Sequence, residues 1–106
     1  MIFNIFRKLV GLRPVDYVSL VKNGAIILDV RTKHEFKQGH IKESVNIPLD
    51  QLKKNLRQLL DKQQSLILCC ASGVRSSSAQ AILKAGGYSK VFNGGSLSAL
   101  QARLNN

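Results

Sequence analysis

Cysteine is scarce in this sequence, with two residues in 106, and the two are adjacent, Cys69 and Cys70. A disulfide framework is therefore excluded, and a bond between the neighbours is sterically awkward. The pair points instead to a reducing compartment, the cytoplasm. A structural zinc site is argued against, because it needs four ligands at loop spacings and only His34 and His40 could help. No metal or cofactor is expected. Acidic residues are also few, 6 against 16 Lys and Arg, which leaves a net charge of +10. Such a molecule attracts anions. The basic residues are scattered, however, few aromatics accompany them, and no nucleic-acid motif appears, which argues against a nucleic-acid partner. No apolar run approaches the ~20 residues that would span a bilayer, so a transmembrane helix is excluded. The 44% apolar content in turn excludes general disorder.

What the chain does contain is enough for one domain with its own core. Residues 1–12 stand apart. Ile2, Phe3, Ile5, Phe6, Leu9 and Val10 fall at helical spacing, with Asn4, Arg7 and Lys8 opposite. Basic residues interrupt the stretch and no small-residue cleavage site follows, so it is not a secretory signal. It is expected to pack on the domain formed by residues 13–106; peripheral contact with a membrane surface or a partner is the alternative.

From Pro14 onward, short apolar runs alternate with helical patterns. A short helix is expected through Leu20 and Val21, then strands over 25–30, 44–47, 65–70 and 90–92. Between them, Asp50 could cap a helix through Leu60 whose stripe is Leu52, Leu56, Leu59 and Leu60. A helix near Ser76 buries Ala79, Ile82 and Leu83 and stops at Gly86-Gly87. Asn93-Gly94-Gly95 turns the chain into a last helix, 96–104. The pattern predicts an α/β fold: a mostly parallel central sheet of about five short strands with helices on both faces.

In such a sheet, ligands sit beyond the carboxyl ends of the strands. Cys70-Ala71-Ser72-Gly73-Val74-Arg75-Ser76 falls at that place, with a thiol at the end of an apolar strand and a short loop leading into a helix. A loop curled around its first residue aims successive backbone N–H groups inward as an anion nest. The helix N-terminus adds to that field. A thiol there loses its proton readily. Gly73 permits backbone angles that a side chain resists, and Arg75 can hold an anion through two parallel hydrogen bonds.

This segment resembles the active-site loop of the rhodanese-like sulfurtransferase family, C-x-x-G-x-R-S. Asp29-Val30-Arg31 resembles the family's D-V-R strand end. Glu35-Phe36 with Gly39-His40-Ile41 is similar to its E-[FY]-x-x-G-H-I segment, Asn46-Ile47-Pro48 to its N-I-P strand, and Val91 to Gly95 to its late turn ending in G-G. The resemblance runs from about Pro14 to about Leu100, with every element in order. It implies a rhodanese-like fold and a cysteine, Cys70, that takes sulfane sulfur from a donor and passes it on through a persulfide. It further implies that Ala71, Ser72, Gly73, Val74, Arg75 and Ser76 form the persulfide-binding loop, and that Asp29 and Arg31 brace it. The implied partners are a small anionic donor such as thiosulfate with a thiol or cyanide acceptor, or a persulfidated protein. Two departures bear on the donor. Ser96-Leu97 stands where a large aromatic commonly follows G-G, and Ala71 and Ser72 carry no charge where a basic residue often assists.

Counted from Cys69, the loop is C-x5-R, the spacing of cysteine phosphatases and arsenate reductases. Gly73 three residues after Cys70, Leu68 where phosphatase loops have His, and the lack of a loop carboxylate favour Cys70. A non-catalytic binding module is the other alternative. Asp29 and Arg31 could simply pair to hold a loop. His40 is expected to be a structural hydrogen-bonder, His34 a surface residue, and Lys53, Lys54 and Arg57 a solvated helix face.

Overall fold

The computed structural model describes residues 14–59 and 61–105. The amphipathic segment 1–12 lies outside the described residues, as do Leu60 and the side chains of Arg57 and Leu59. Four parallel strands form the sheet: β1 (Ile26–Asp29), β2 (Val45–Asn46), β3 (Leu66–Cys70) and β4 (Val91–Ser96), in the order β2-β1-β3-β4. Five helices are described: α1 (Tyr17–Lys22), α2 (Lys33–Gln38), α3 (Leu49–Leu59), α4 (Val74–Ala85) and α5 (Leu97–Leu104). The sheet has four strands among the described residues rather than about five.

The central strands are apolar on both faces, and each face has its own core. Leu28, Val30, Leu66, Leu68 and Cys70 point toward Leu52 of α3 and Ala79 and Leu83 of α4. Ile27, Ile67 and Cys69 point the other way, toward Tyr17 of α1 and Leu100 of α5. Alternation along a strand puts neighbours on opposite faces, so the two cysteines belong to different cores. Each fully buried Leu contributes about 1.5–3 kcal/mol to holding these layers together.

Local chemistry sets most helix ends. Asp16 caps α1, accepting from the Ser19 backbone N–H at 3.1 Å, and Ser96 caps α5 through Ala99 N. Asp50, expected as a cap, lies inside the first turn of α3. There its charge complements the helix dipole. Helix α2 was not foreseen, although Thr32 and Glu35 form a reciprocal capping box at its start.

The expected turn at Asn93-Gly94-Gly95 is instead part of β4. A Cβ on Gly94 would lie 2.8 Å from the Leu68 carbonyl oxygen, so only glycine lets β4 lie so close to β3. Gly95, with φ +84°, sits where the β3–β4 register shifts, between Leu68 and Cys70.

From β1 the chain moves outward to β2, then crosses back to β3 and on to β4. The direction therefore switches between β1 and β3, and the carboxyl ends of these two strands flank the crevice where α/β sheets bind ligands. Cys70 ends β3 there, and Asp29 ends β1.

Candidate active site

Leaving β3 at Cys70, the chain runs through residues 71–73 into α4. Gly73 takes φ +95° at the N-cap of that helix, a left-handed angle costly for any residue with a Cβ. The resulting curl aims donors at the sulfur. Gly73 N–H lies 2.9 Å from Cys70 Sγ and Ser76 N–H 3.3 Å from it, and the Cys70 thiol in turn donates to Ser76 Oγ at 3.5 Å. Ala71 and Ser72 are exposed, and Val74 is 71% exposed, so these side chains form the outer rim.

Environment separates the two thiols. Burial alone would push Cys70 up. The Ser76 hydroxyl and the backbone N–H groups of Ser76, Ser72 and Gly73 outweigh it and bring the thiol below its ordinary value. Cys69 has no such donors; burial, with the Asp29 carboxylate adding to it, pushes it up to about 12. Cys69 is therefore a protonated core residue at neutral pH, and the C-x5-R count from it has no geometric support.

Arg75 does not face into the nest. Its guanidinium donates to both carboxylate oxygens of Glu35, at 2.7 and 2.9 Å. Glu35 also accepts from Thr32 N–H, so one carboxylate ties the loop to the start of α2. Asp29 and Arg31 form a buried pair at 2.7 Å, and Arg31 also donates to Gly39 O. Their bonds fix the 29–39 segment beside the nest. Ser76 is fully buried and its hydroxyl reaches Asn93 Oδ1 at 2.6 Å. Sequence reasoning missed Glu35 and Asn93 as members of the site. The T-x-x-E capping signature could have disclosed Glu35; nothing local marks Asn93, which arrives through β-sheet register.

His40 stacks on Phe36 with ring centroids 3.7 Å apart, and its Nδ1 lies 2.7 Å from Phe36 O. His34, Lys53 and Lys54 are exposed. Among the described residues no cluster of His, Cys, Asp and Glu could hold a metal ion, and no helix is long and apolar enough to cross a membrane.

Fold and site together define a parallel α/β domain that holds a strand-end cysteine in a nest of backbone N–H groups. Comparison with known proteins makes the assignment specific: residues 14–102 match the rhodanese-like domain, and the chain belongs to that family. It is 34% identical to the thiosulfate sulfurtransferase PspE of Escherichia coli over 71 residues, 66% of this chain and 68% of that protein. A rhodanese domain-containing protein of Drosophila melanogaster is 41% identical over 78 residues, 61% of this chain and 70% of that one. The tRNA uridine(34) hydroxylase of Buchnera aphidicola is 27% identical over 83 residues, 73% of this chain. The chain spans only 27% of that enzyme's length. Among solved structures, a rhodanese with anions from E. coli superposes with a TM-score of 0.67 at 31% identity, covering 72% of this chain and 91% of that one.

Proposed function

We propose that the protein is a sulfurtransferase that carries sulfane sulfur on Cys70. The observation that carries this reading is the set of N–H donors around a buried strand-end thiol, Gly73 at 2.9 Å and Ser76 at 3.3 Å. Donors so placed stabilise a thiolate, and after it the negative sulfur of a persulfide. The Cys70 thiolate attacks the outer sulfur of the donor. A new S–S bond forms, the donor's S–S bond breaks, and the leaving group departs with that electron pair, as sulfite if the donor is thiosulfate. A thiol or cyanide acceptor then attacks the outer sulfur of the persulfide, and Cys70 leaves as the thiolate. No net oxidation or reduction of the protein occurs, and the cycle needs no cofactor.

The similarity to PspE supports thiosulfate as a donor, and the net charge of +10 favours small anions over neutral ones. A persulfidated protein is the other donor the nest accommodates. A cytoplasmic setting suits two free cysteines.

Intact-mass spectrometry after incubation with thiosulfate tests the reading. One added sulfur atom is expected, lost on adding cyanide, absent in Cys70→Ser and retained in Cys69→Ser. Sulfur uptake surviving in Cys70→Ser, or no uptake from thiosulfate or from any persulfide, overturns it.

A further inference from the structure

The Ser76 hydroxyl has one hydrogen and more than one claimant. Asn93 Oδ1 lies 2.6 Å from Ser76 Oγ, Gly73 O lies 3.1 Å away, and Cys70 Sγ lies 3.5 Å away. The amide orientation of Asn93 is fixed independently, because Gly95 N–H donates to the same Oδ1 at 2.9 Å and so requires an oxygen there. Both oxygens can only accept, and the shorter contact, 2.6 Å against 3.1 Å, gives the hydroxyl hydrogen to Asn93. The Ser76 lone pairs then face the sulfur and accept from the Cys70 S–H. The resting site is thus a polarised chain, Cys70 S–H to Ser76 O–H to the Asn93 carbonyl oxygen.

A thiolate or persulfide reverses what Ser76 must do. A negative sulfur repels the lone pairs of Ser76, and the hydroxyl has to turn and donate to it, breaking the bond to Asn93. We propose that Asn93 is a positioning residue for Cys70: its side-chain oxygen holds the Ser76 proton in the resting thiol and yields it when the sulfur becomes negative. The inference rests on Cys70 being the sulfur carrier.

Asn93 is held in place for this. Its backbone is paired to β3 opposite Leu68, and its carbonyl oxygen accepts from the hydroxyl of buried Tyr17 at 3.1 Å. The Gly95 N–H bond to Oδ1 in turn holds the side chain, so that following the hydroxyl as it turns would break that bond. The ionisable groups around the sulfur are Cys69 on the same strand, the Asp29–Arg31 pair beyond β1, and the Arg75–Glu35 pair joining α4 to α2. Strand β4, VFNGGS, contributes no ionisable side chain, so an effect of Asn93 comes through the hydroxyl and not through a charge of its own.

The test is the thiolate ultraviolet absorbance of Cys70 against pH, with Cys70→Ser as the blank, in protein whose folding is confirmed by its melting transition. Asn93→Ala removes the nearer acceptor, leaves only Gly73 O at 3.1 Å to compete with the sulfur, and should lower the midpoint by roughly half a unit to one unit. Asn93→Asp keeps the Gly95 contact, holds the proton harder and should raise it. Both shifts should shrink in a Ser76→Ala background, that of Asn93→Ala to nothing. Midpoints unmoved by either substitution, or shifts of equal size without the hydroxyl, overturn the proposal. Should Asn93→Ala not fold, the Asn93→Asp pair of measurements decides alone. The titration reads the thiol whether or not sulfur is transferred. Failure of sulfur uptake would defeat the functional reading and leave the competition for the proton intact, and an unmoved midpoint would do the reverse.

Discussion

Glu35→Gln is the substitution that isolates the link between the cysteine loop and α2. The amide keeps an oxygen to accept from Thr32 N–H at 3.0 Å, so the capping box survives. What is lost faces Arg75: the negative charge, and the oxygen that accepts from Nη2 at 2.9 Å, whose place the amide NH2 takes. Arg75, and after it Thr32, holds the Glu35 carboxyl down at about 2, against an ordinary 4.5. Without screening, that drop would correspond to roughly 3 kcal/mol. The two side chains are 33% and 30% exposed, however, and water weakens such a pair to about 1 kcal/mol, the upper end for surface ion pairs because the contact is bidentate. Glu35 has a lower pKa folded than unfolded. Its contribution is therefore fully present above about pH 4.5 and is lost as pH falls toward about 2. Urea unfolding of both proteins across this range should give a stability difference near 1 kcal/mol at pH 7 that closes on the acid side. A double-mutant cycle with Arg75→Met should return most of it as coupling. A difference that is absent at pH 7, or that persists unchanged near pH 2, refutes the reasoning.

Gly94→Ala should lower stability by about 1–3 kcal/mol, because its methyl group would meet the Leu68 carbonyl oxygen at 2.8 Å, and backbone cannot move aside as a side chain can. Thermal unfolding reads this as a loss of at least several degrees, and an unchanged melting temperature would show that β4 has room to shift. The rate of Cys70 alkylation against pH should place its midpoint below the ordinary thiol value, while Cys69 stays unmodified across the same range. Modification of Cys69 alongside Cys70 would contradict the separation of the two thiols. Asp29→Asn should destabilise by roughly 3–5 kcal/mol in denaturant, far more than Glu35→Gln, since it leaves the charge of buried Arg31 without its partner. Equal losses from the two substitutions would mean that burial does not distinguish the pairs.

Residues whose role is set by near neighbours in the chain were legible. The apolar run ending at Cys70 and the glycine three positions on define a strand, a loop and a left-handed N-cap within the eight residues 66–73, and that much of the nest is local. The Leu52 and Leu83 faces follow from helical spacing alone. Contacts across the chain were not legible. Arg75 looked free to grip an anion because nothing near it in sequence is acidic; its partner Glu35 is 40 residues away. Asn93-Gly94-Gly95 has the composition of a turn, and only the closeness of β3 makes it a strand. Asn93 enters the site from 17 residues beyond Ser76 by sheet register, which no spacing rule discloses.

The two cysteines are consecutive in the chain yet lie on opposite faces of the sheet, one in each core. A resolving cysteine must reach its partner's sulfur, and a strand that alternates its side chains forbids this without leaving the sheet. Cys69 is therefore no internal reductant for Cys70. A sulfane sulfur carried on Cys70, as proposed, would have to be removed by a thiol or other nucleophile that is not Cys69. The adjacent pair thus forms no redox couple within the sheet, and the lifetime of the proposed persulfide would be set by the availability of that other nucleophile.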